Sequence, residues 1–369
     1  MKTIVHLIDT GGSGGAESLF VQLVSNFQSD GMHNVAVVGR EGWLAEKIRA
    51  VDITPVVLPG KGSLNAAYLG RVVRLLRCER ADLLVTHLYG PAVYGSIAGV
   101  LTRTPVLSVL HGQTDVTEGG RFASLKAGAV RYGANRCVFV SQQLRTDIAS
   151  RLQLADARCL VIQNGIDLER FRPGRRFFLR QQLGMGPDDV LVGSVGNIRP
   201  AKAYDVLLDA ARIVCDGSKR VHFVIVGEGS GPLYESIRDQ RERLHLIDRV
   251  HMLGHRSDVD ELLADFDVFV LSSHTEGFSL ACVEAMACGI AVIATRSGGP
   301  EDIITHGESG LLVTPGSAAE LAAAITTLLN ETDFRMALAD GGRRRAISSF
   351  SADQMLTEYR DLVAELTGE

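Results

Sequence analysis

Two glutamates eight residues apart flank a segment that could bind an anion. Glu276 lies in a polar turn after the apolar run Val268 to Leu271, and Glu284 lies on the helix predicted to follow. The first backbone N–H groups of such a helix are unpaired, and together with the helix dipole they favour negative charge. Carboxylates beside an anion site suit a ligand that combines phosphate with hydroxyl groups. The predicted binding residues are Gly277, Phe278, Ser279, Leu280 and Glu284.

The elements around this segment predict how it is positioned. The apolar run 268–271 is followed by a helical stretch from about 279 to 288, a stop at Gly289 and a second apolar run, 291–294. This strand–helix–strand order is the βαβ unit of a buried parallel sheet.

Two cations could complete a phosphate site. Arg199 and Lys202 follow the apolar run 190–195, at a predicted strand–helix junction. Lysine provides a point charge and arginine a bidentate fork for phosphate oxygens. Cations at a helix start oppose the helix dipole, and an anion bound between them would remove that conflict.

Glycine and histidine residues suggest a second site in the first half of the chain. A loop containing Gly14 and Gly15 follows the first predicted strand, but it matches neither a Walker P-loop nor G-x-G-x-x-G. His87 and His111 each follow a predicted strand, at the edge of a doubly wound sheet where ligands bind. For His87, a buried structural role is equally expected.

Paired aspartates raise the question of a metal. Asp258 with Asp260, and Asp265 with Asp267, have D-x-D spacing. We interpret Ser257 and Asp260 as a capping box for a helix over 258–265, and Asp267 as the entry to a strand. No metal site is therefore predicted.

Composition restricts the classes of protein. The 369 residues, 46% apolar and 22% charged, suggest two globular domains. The six cysteines form no C-x-x-C pair, and no apolar run approaches the roughly 18 residues that span a bilayer, so a reduced, cytoplasmic protein is expected.

Charge is distributed unevenly. Residues 1–175 carry 20 Lys and Arg against 14 Asp and Glu, and the rest carries 18 against 29. Nucleic acid is an improbable partner, because no compact basic cluster is interleaved with aromatics. A predicted helix over 64–80 has arginines at 71, 74, 77 and 80. A solvated helix face is the simpler interpretation, and attraction to anionic lipids is the alternative.

Several motifs resemble those of one enzyme family. EGFSLACVE, followed by AMACGIAVIATRSGGPEDII, resembles the E-x7-E signature of retaining glycosyltransferases of family 4, which have the GT-B fold. The Gly14-Gly15-Ala16-Glu17 loop and His111-Gly112 are similar to segments of that family. Lys202 matches the pattern Gly-Arg-x4-Lys-Gly, whereas Asn197 and Ala203 replace its usual Arg and second Gly.

The resemblance implies an α/β architecture of two Rossmann-like, doubly wound parallel-sheet domains facing across a cleft. The expected acceptor-side domain is 1–175, the nucleotide-sugar domain is 176–345, and a helix within 346–369 crosses back to the first domain. The family resemblance implies that Glu276, His111, Gly14 and Gly15 would lie by the donor, that Glu284 would bind the ribose, and that Lys202 would bind the diphosphate. Because Asn197 replaces the usual Arg, Arg199 would supply the second positive charge. Glu276, His111, Lys202 and Arg199 are the predicted catalytic residues. Loops 60–70 and 113–133 would face the acceptor.

The implied reaction is retaining transfer of a hexose from a nucleotide diphosphate sugar, with UDP the commonest carrier, to a glycan or lipid-linked hydroxyl in cell-surface polysaccharide synthesis. No cofactor or metal is expected, and the basic first domain is a candidate for peripheral membrane contact. A GT-B nucleotide-sugar epimerase and a non-catalytic nucleotide-sugar-binding protein are the alternatives.

Overall fold

The chain forms two compact units. The computed structural model describes residues 1–60, 65–112, 122–174 and 178–368. One unit comprises residues 1–164 with 353–369, and the other comprises 165–352. The sequence predicts boundaries at 175 and 345 instead. They differ because Ile166 exchanges backbone hydrogen bonds with Phe350 and Ala352, which holds both crossing segments in the second unit.

The first unit contains a seven-stranded parallel sheet in the order β3-β2-β1-β4-β5-β6-β7. Its strands are β1 (Thr3–Leu7), β2 (His33–Val38), β3 (Val56–Val57), β4 (Leu83–His87), β5 (Val106–Leu110), β6 (Arg136–Phe139) and β7 (Cys159–Val161). Its helices are α1 (Gly15–Ser29), α2 (Trp43–Arg49), α3 (Ala66–Cys78), α4 (Tyr89–Thr102), α5 (Ala123–Gly133), α6 (Gln142–Leu152) and, from the end of the chain, α15 (Ala352–Thr367).

Helices cover both faces of this sheet, because successive strand residues point to opposite faces and both are apolar. Ile4 packs in a core with α1 and α15. Val5, its neighbour on β1, packs in a second core with α3 and α4. The segment 353–367 thus completes the core of the first unit, although it follows the whole second unit in the chain.

The second unit contains a six-stranded parallel sheet in the order β10-β9-β8-β11-β12-β13. Its strands are β8 (Val190–Val195), β9 (Val221–Val226), β10 (Val250–Gly254), β11 (Val268–Leu271), β12 (Ala291–Thr295) and β13 (Leu311–Val313). Its helices are α7 (Phe178–Gln182), α8 (Tyr204–Gly217), α9 (Gly231–Arg243), α10 (Val259–Leu263), α11 (Leu280–Ala287), α12 (Pro300–Ile303), α13 (Ala318–Asn330) and α14 (Thr332–Ser349). The predicted βαβ unit is confirmed, since β11 and β12 pair in parallel on either side of α11.

Each sheet has one point at which the strand order reverses. It lies between β1 and β4 in the first unit and between β8 and β11 in the second. In open α/β sheets, ligands bind outside the carboxyl ends of the strands at such a switch point.

The capping box predicted for α10 is wrong. The N-cap residue is Asp258, whose side chain makes no capping hydrogen bond, and the helix covers only Val259–Leu263. Asp260 instead accepts a hydrogen bond from Arg170 Nη2 at 2.7 Å. Its carboxylate therefore fixes the segment that enters the second unit.

No helix in the described part of the chain has both the length and the hydropathy that a bilayer-spanning segment requires.

Candidate active site

Lys202 and Glu276 meet at the switch point of the second sheet. Lys202 Nζ lies 2.6 Å from Glu276 Oε1, and Ser273 Oγ donates a hydrogen bond to the same oxygen at 2.5 Å. The lysine and glutamate side chains are only 21% and 10% exposed. They follow β8 and β11, which are adjacent in the sheet, so the sheet order brings two predicted site residues together.

A tight turn positions Lys202. Residues 200–202 form one 3₁₀ turn, and Ser272 Oγ donates to the carbonyl of Lys202 at 2.9 Å. The next residue, Ala203, is buried and left-handed, with φ 48° and ψ 49°. This conformation costs a non-glycine residue about 1–2 kcal/mol. It explains the glycine usual at this position of the family pattern.

The loop carrying Glu276 is clamped against the loop after β12. The Glu276 N–H donates to Ser297 O at 2.8 Å, and the Gly299 N–H donates to Glu276 O at 3.0 Å. A Cβ atom on Gly299 would lie 2.7 Å from Phe278 Cα, so only glycine permits this approach. Backbone contacts therefore help to fix the path of the Glu276 loop.

The start of α11 presents backbone donors. Ser279 is the N-cap residue, and its Oγ accepts from the Cys282 N–H at 3.4 Å. Among described residues, the N–H groups of 277–280 donate no hydrogen bond. The Phe278 ring packs edge-on against Phe350, so its backbone is the part available to a ligand. These N–H groups can donate hydrogen bonds to a bound anion.

Glu284 lies on the second turn of α11. Its side chain is partly exposed, and no described side chain hydrogen-bonds to its carboxylate. Burial raises the pKa of Glu284 to about 7, while the nearby Arg170 charge opposes the increase. An unpaired carboxylate in this position can accept two hydroxyl hydrogen bonds.

Arg199 differs from Lys202 in its environment. It immediately precedes the 3₁₀ turn, its side chain is exposed, and within the described ranges it forms no ion pair. Arg199 is thus a cation available to a ligand, whereas Lys202 already has Glu276 as a partner.

The first unit holds the remaining predicted site residues. Gly14 is the N-cap residue of α1 and Gly15 its first residue, so both lie directly beyond β1. Glu17 in the first turn is 8% exposed.

His87, the last residue of β4, forms a pair with His111, which directly follows β5. His87 Nδ1 lies 3.2 Å from His111 Nε2, and the rings stack with centroids 5.4 Å apart. His111 is partly exposed, whereas His87 has no exposed surface. Burial lowers the pKa of His111 to about 3 and that of His87 well below its usual value. His87 is therefore placed to act through His111 rather than on a ligand.

The four D-x-D carboxylates make structural hydrogen bonds. Each accepts from a guanidinium or backbone N–H within the second unit: Asp258 from Arg256, Asp260 from Arg170, Asp265 from Leu179, and Asp267 from Leu191.

Parts of the predicted acceptor loops, residues 61–64 and 113–121, lie outside the described residues.

Three hydroxyl residues of the site were not predicted. Ser272 and Ser273 follow β11 directly, and Thr295, the last residue of β12, donates to Ser273 O at 2.6 Å. Their position at the carboxyl ends of adjacent strands was the available signal.

Known proteins match both halves of the chain. The model of "Glycosyl transferases group 1" matches residues 175–345, and that of "Glycosyltransferase Family 4" matches residues 13–170. A D-inositol 3-phosphate glycosyltransferase of Geodermatophilus obscurus is 36% identical, over 86% of this chain and 76% of that protein. The chain belongs to the glycosyltransferases of family 4.

Two further similarities extend this result. The N-acetyl-alpha-D-glucosaminyl L-malate synthase of Bacillus anthracis is 27% identical over 81% of this glycosyltransferase and 78% of that protein. The crystal structure of Anabaena Alr3699/HepE in complex with UDP is 25% identical, covers 99% of this chain and 100% of that one, and has a TM-score of 0.86. The fold is GT-B, with two Rossmann-like domains.

Proposed function

We propose that this glycosyltransferase moves a hexose from a UDP-sugar to an acceptor hydroxyl with retention of anomeric configuration and without a metal. The proposal rests on the groups that the second unit offers to a ligand. Among the described residues, these are N–H groups without an acceptor at the start of α11, two cations and the Glu284 carboxylate, which has no partner. The UDP bound in the Anabaena structure supports uridine as the base.

The barrier lies mainly in breaking the anomeric C–O bond. Negative charge then develops on the departing diphosphate, where Lys202, Arg199 and the N–H groups of 277–280 stabilise it. Fixed donors of this kind are most effective where water is excluded. On the family resemblance, we assign Glu284 to the ribose diol and Glu276 to the sugar. His111 and the Gly14–Gly15 loop are assigned to the donor on the same ground.

The acceptor hydroxyl attacks the face that the leaving group departs from. A new bond forms between the acceptor oxygen and the anomeric carbon as the bond to the phosphate oxygen breaks. The hydroxyl proton passes to the departing phosphate. No carboxylate nucleophile is required, which agrees with Glu276 being held by Lys202 and Ser273.

The charges already present support metal independence. Lys202, Arg199 and the helix N-terminus supply positive potential for the diphosphate, and the D-x-D carboxylates have structural partners. We expect transfer to continue in excess EDTA, measured as UDP release. Abolition by EDTA and recovery with Mg²⁺ or Mn²⁺ would contradict this expectation.

The acceptor is either a lipid-linked glycan, as in polysaccharide synthesis, or a small acidic hydroxyl compound. Arginines 71, 74, 77 and 80 are exposed on or beside α3, which favours a cytoplasmic protein contacting an anionic membrane. The apolar side of α3 packs into the core through Val72 and Leu76, so that contact would be electrostatic. The small acceptor is supported by the two relatives, which are named for L-malate and D-inositol 3-phosphate.

Thermal melting in EDTA with UDP, GDP, ADP and their glucose conjugates tests the donor assignment. A ligand that binds only the native state stabilises it by mass action and so raises the melting temperature. At a ligand concentration of 100 times Kd, the gain in the free energy of unfolding is about 2.7 kcal/mol. We expect UDP and UDP-glucose to stabilise most. A larger shift with another base would refute uridine, and no shift with any nucleotide would refute the donor site.

Product analysis separates the rival functions. Release of UDP together with a glycosylated acceptor identifies the transferase. A changed sugar formed without acceptor would identify an epimerase, and tight binding without any product would identify a binding protein.

A further inference from the structure

His87 occupies a constrained position. It is the last residue of β4, and the next residue, Leu88, has φ 74° and ψ 161°, a region that only glycine adopts readily. The Leu88 N–H donates to Val109 O at 3.1 Å, which ties the end of β4 to β5. Such backbone strain persists only where the surroundings impose it and is concentrated at functional sites.

The two ring nitrogens of His87 differ in their hydrogen bonding. Nδ1 lies 3.2 Å from His111 Nε2, whereas Nε2 is buried and has no hydrogen-bond partner among the described residues. If His87 carried its proton on Nε2, that N–H would be an orphaned buried donor, which is the rarer and costlier case. If the proton is on Nδ1, the group left without a partner is only the acceptor lone pair of Nε2. The second arrangement is favoured.

We propose that His87 is a positioning residue whose Nδ1–H donates to His111 Nε2 and so fixes the tautomer of His111. His111 then carries its proton on Nδ1 and presents a neutral N–H donor at the carboxyl edge of the first sheet. No described atom hydrogen-bonds to His111 Nδ1. The proposed function enters only in naming the acceptor of this donor, an oxygen of the sugar substrate.

The surroundings keep the pair neutral. Phe20 packs edge-on against His87 with centroids 5.2 Å apart, and no described carboxylate hydrogen-bonds to either imidazole. His6, on the other side of Phe20, bonds through Nε2 to Asn34 Oδ1 at 3.0 Å. Burial lowers the pKa of all three rings, so neither member of the pair takes up a proton near neutral pH.

Nitrogen-15 NMR of histidine-labelled full-length protein tests the tautomer without any substrate. His111→Gln identifies the His111 signals. We expect a protonated, pyrrole-type Nδ1 and an unprotonated, pyridine-type Nε2 at His111 in the wild type. His87→Leu should shift His111 away from this state, and His87→Asn, which keeps a donor near the Nδ1 position, should restore it. A protonated Nε2 at His111 in the wild type would overturn the proposal.

A second histidine pair provides a matched control. His222 Nδ1 lies 3.2 Å from His251 Nε2, but these residues are near the amino ends of β9 and β10, at the opposite edge of the other sheet. His251→Leu breaks an equivalent contact. It should leave the His111 signals unchanged.

Kinetics with UDP-glucose as donor test whether the tautomer of His111 affects turnover. We expect His87→Leu to lower kcat about a hundredfold, the lower end for losing one preorganised donor, with UDP affinity unchanged. His87→Asn should recover most of this loss, and His251→Leu should show none. Equal losses in His87→Leu and His87→Asn would reduce His87 to a packing role. Failure of the wild type to bind UDP would instead refute the proposed function, and the NMR result would still stand.

Discussion

The carboxyl edges of the two sheets carry different kinds of polar group. In the second unit, Lys202, Glu276 and Ser273 form a charged network in which each group has a partner. In the first unit, His87 and His111 form a neutral pair that leaves one buried nitrogen unpaired. Both arrangements lie beside a reversal of strand order.

The difference indicates that the two edges bind different parts of the donor. A charged network with an exposed Arg199 and free N–H groups is suited to binding and stabilising a diphosphate. A neutral imidazole pair cannot neutralise charge, but it can orient one N–H toward a hydroxyl. We therefore expect substitutions of Lys202, Arg199 and Glu284 to affect the nucleotide, and substitutions of His87 and His111 to affect the sugar.

Lys202→Met should have the largest effect. Removing the cation leaves the Glu276 carboxylate without its ion pair and the departing diphosphate without one donor. We expect kcat to fall about 10²–10³-fold, as for the loss of one oxyanion donor. UDP release with UDP-glucose as donor measures it, and Lys219→Met, at an exposed lysine of the same unit, is the control. A loss below tenfold would show that Lys202 does not face the leaving group.

Glu284→Ala and His111→Ala test the comparison most directly. Hydrogen bonds to a charged group are worth about 1.5–3 kcal/mol, so Glu284→Ala should weaken UDP binding about 10–100-fold. His111→Ala should leave UDP affinity unchanged and lower turnover. Isothermal titration with UDP distinguishes them. If both variants lose UDP affinity equally, the division between nucleotide and sugar is wrong.

Glu284→Gln should change the pH dependence of stability. Because burial raises the native pKa of Glu284 to about 7, the folded state retains a proton that the unfolded chain has already lost. The contribution of Glu284 to wild-type stability is therefore highest below the ordinary glutamate pKa and falls as the pH rises toward 7. The glutamine variant avoids this loss and should be more stable at pH 8, by about 1–3 kcal/mol, but not at pH 4.

Urea unfolding at the two pH values measures this difference. Glu320→Gln is a control of opposite sign, because a hydrogen bond from the Thr314 N–H lowers the pKa of Glu320. That variant should lose stability at pH 8. An advantage for Glu284→Gln that is the same at both pH values would contradict the raised pKa.

Ala203→Gly should have the smallest effect, and a favourable one. Glycine adopts the left-handed conformation at residue 203 without strain, so the variant should gain about 1 kcal/mol in the free energy of unfolding. Ala210→Gly, in the interior of α8, should lose stability instead. Chemical denaturation compares them. A destabilised Ala203→Gly would mean that the turn before α8 tolerates alanine without cost.

Helices and strands could be predicted from the sequence better than the side-chain contacts between them. The unit from β11 to β12 was predictable because two apolar runs enclose a helix that stops just before Gly289. The contact between Lys202 and Glu276 was not, because it depends on β8 lying beside β11, and hydrophobic periodicity does not encode strand order. The burial of His87 was left open for the same reason.

Helix α14 shows a different limit. Gly341 and Gly342 disfavour a helix by intrinsic propensity. In the structure they let α14 approach Glu308 and Ser309 so closely that a Cβ on Gly341 would lie 2.0 Å from Glu308 O. Close packing outweighs propensity here, and packing of this kind cannot be read from local sequence.

The position of α15 has a consequence for how the protein is made. At about 5–20 residues per second, the ribosome needs roughly 10–40 s to synthesise the second unit after the first has emerged. During that time the strands and α1 of the first unit lack α15, so the apolar side chains that it covers, among them Leu19, Leu83 and Val85, stay open to water. The second unit can finish folding as it emerges. The first reaches its native core only after synthesis of α15, so we expect the amino-terminal half of the nascent chain to need protection from aggregation for longer than the rest.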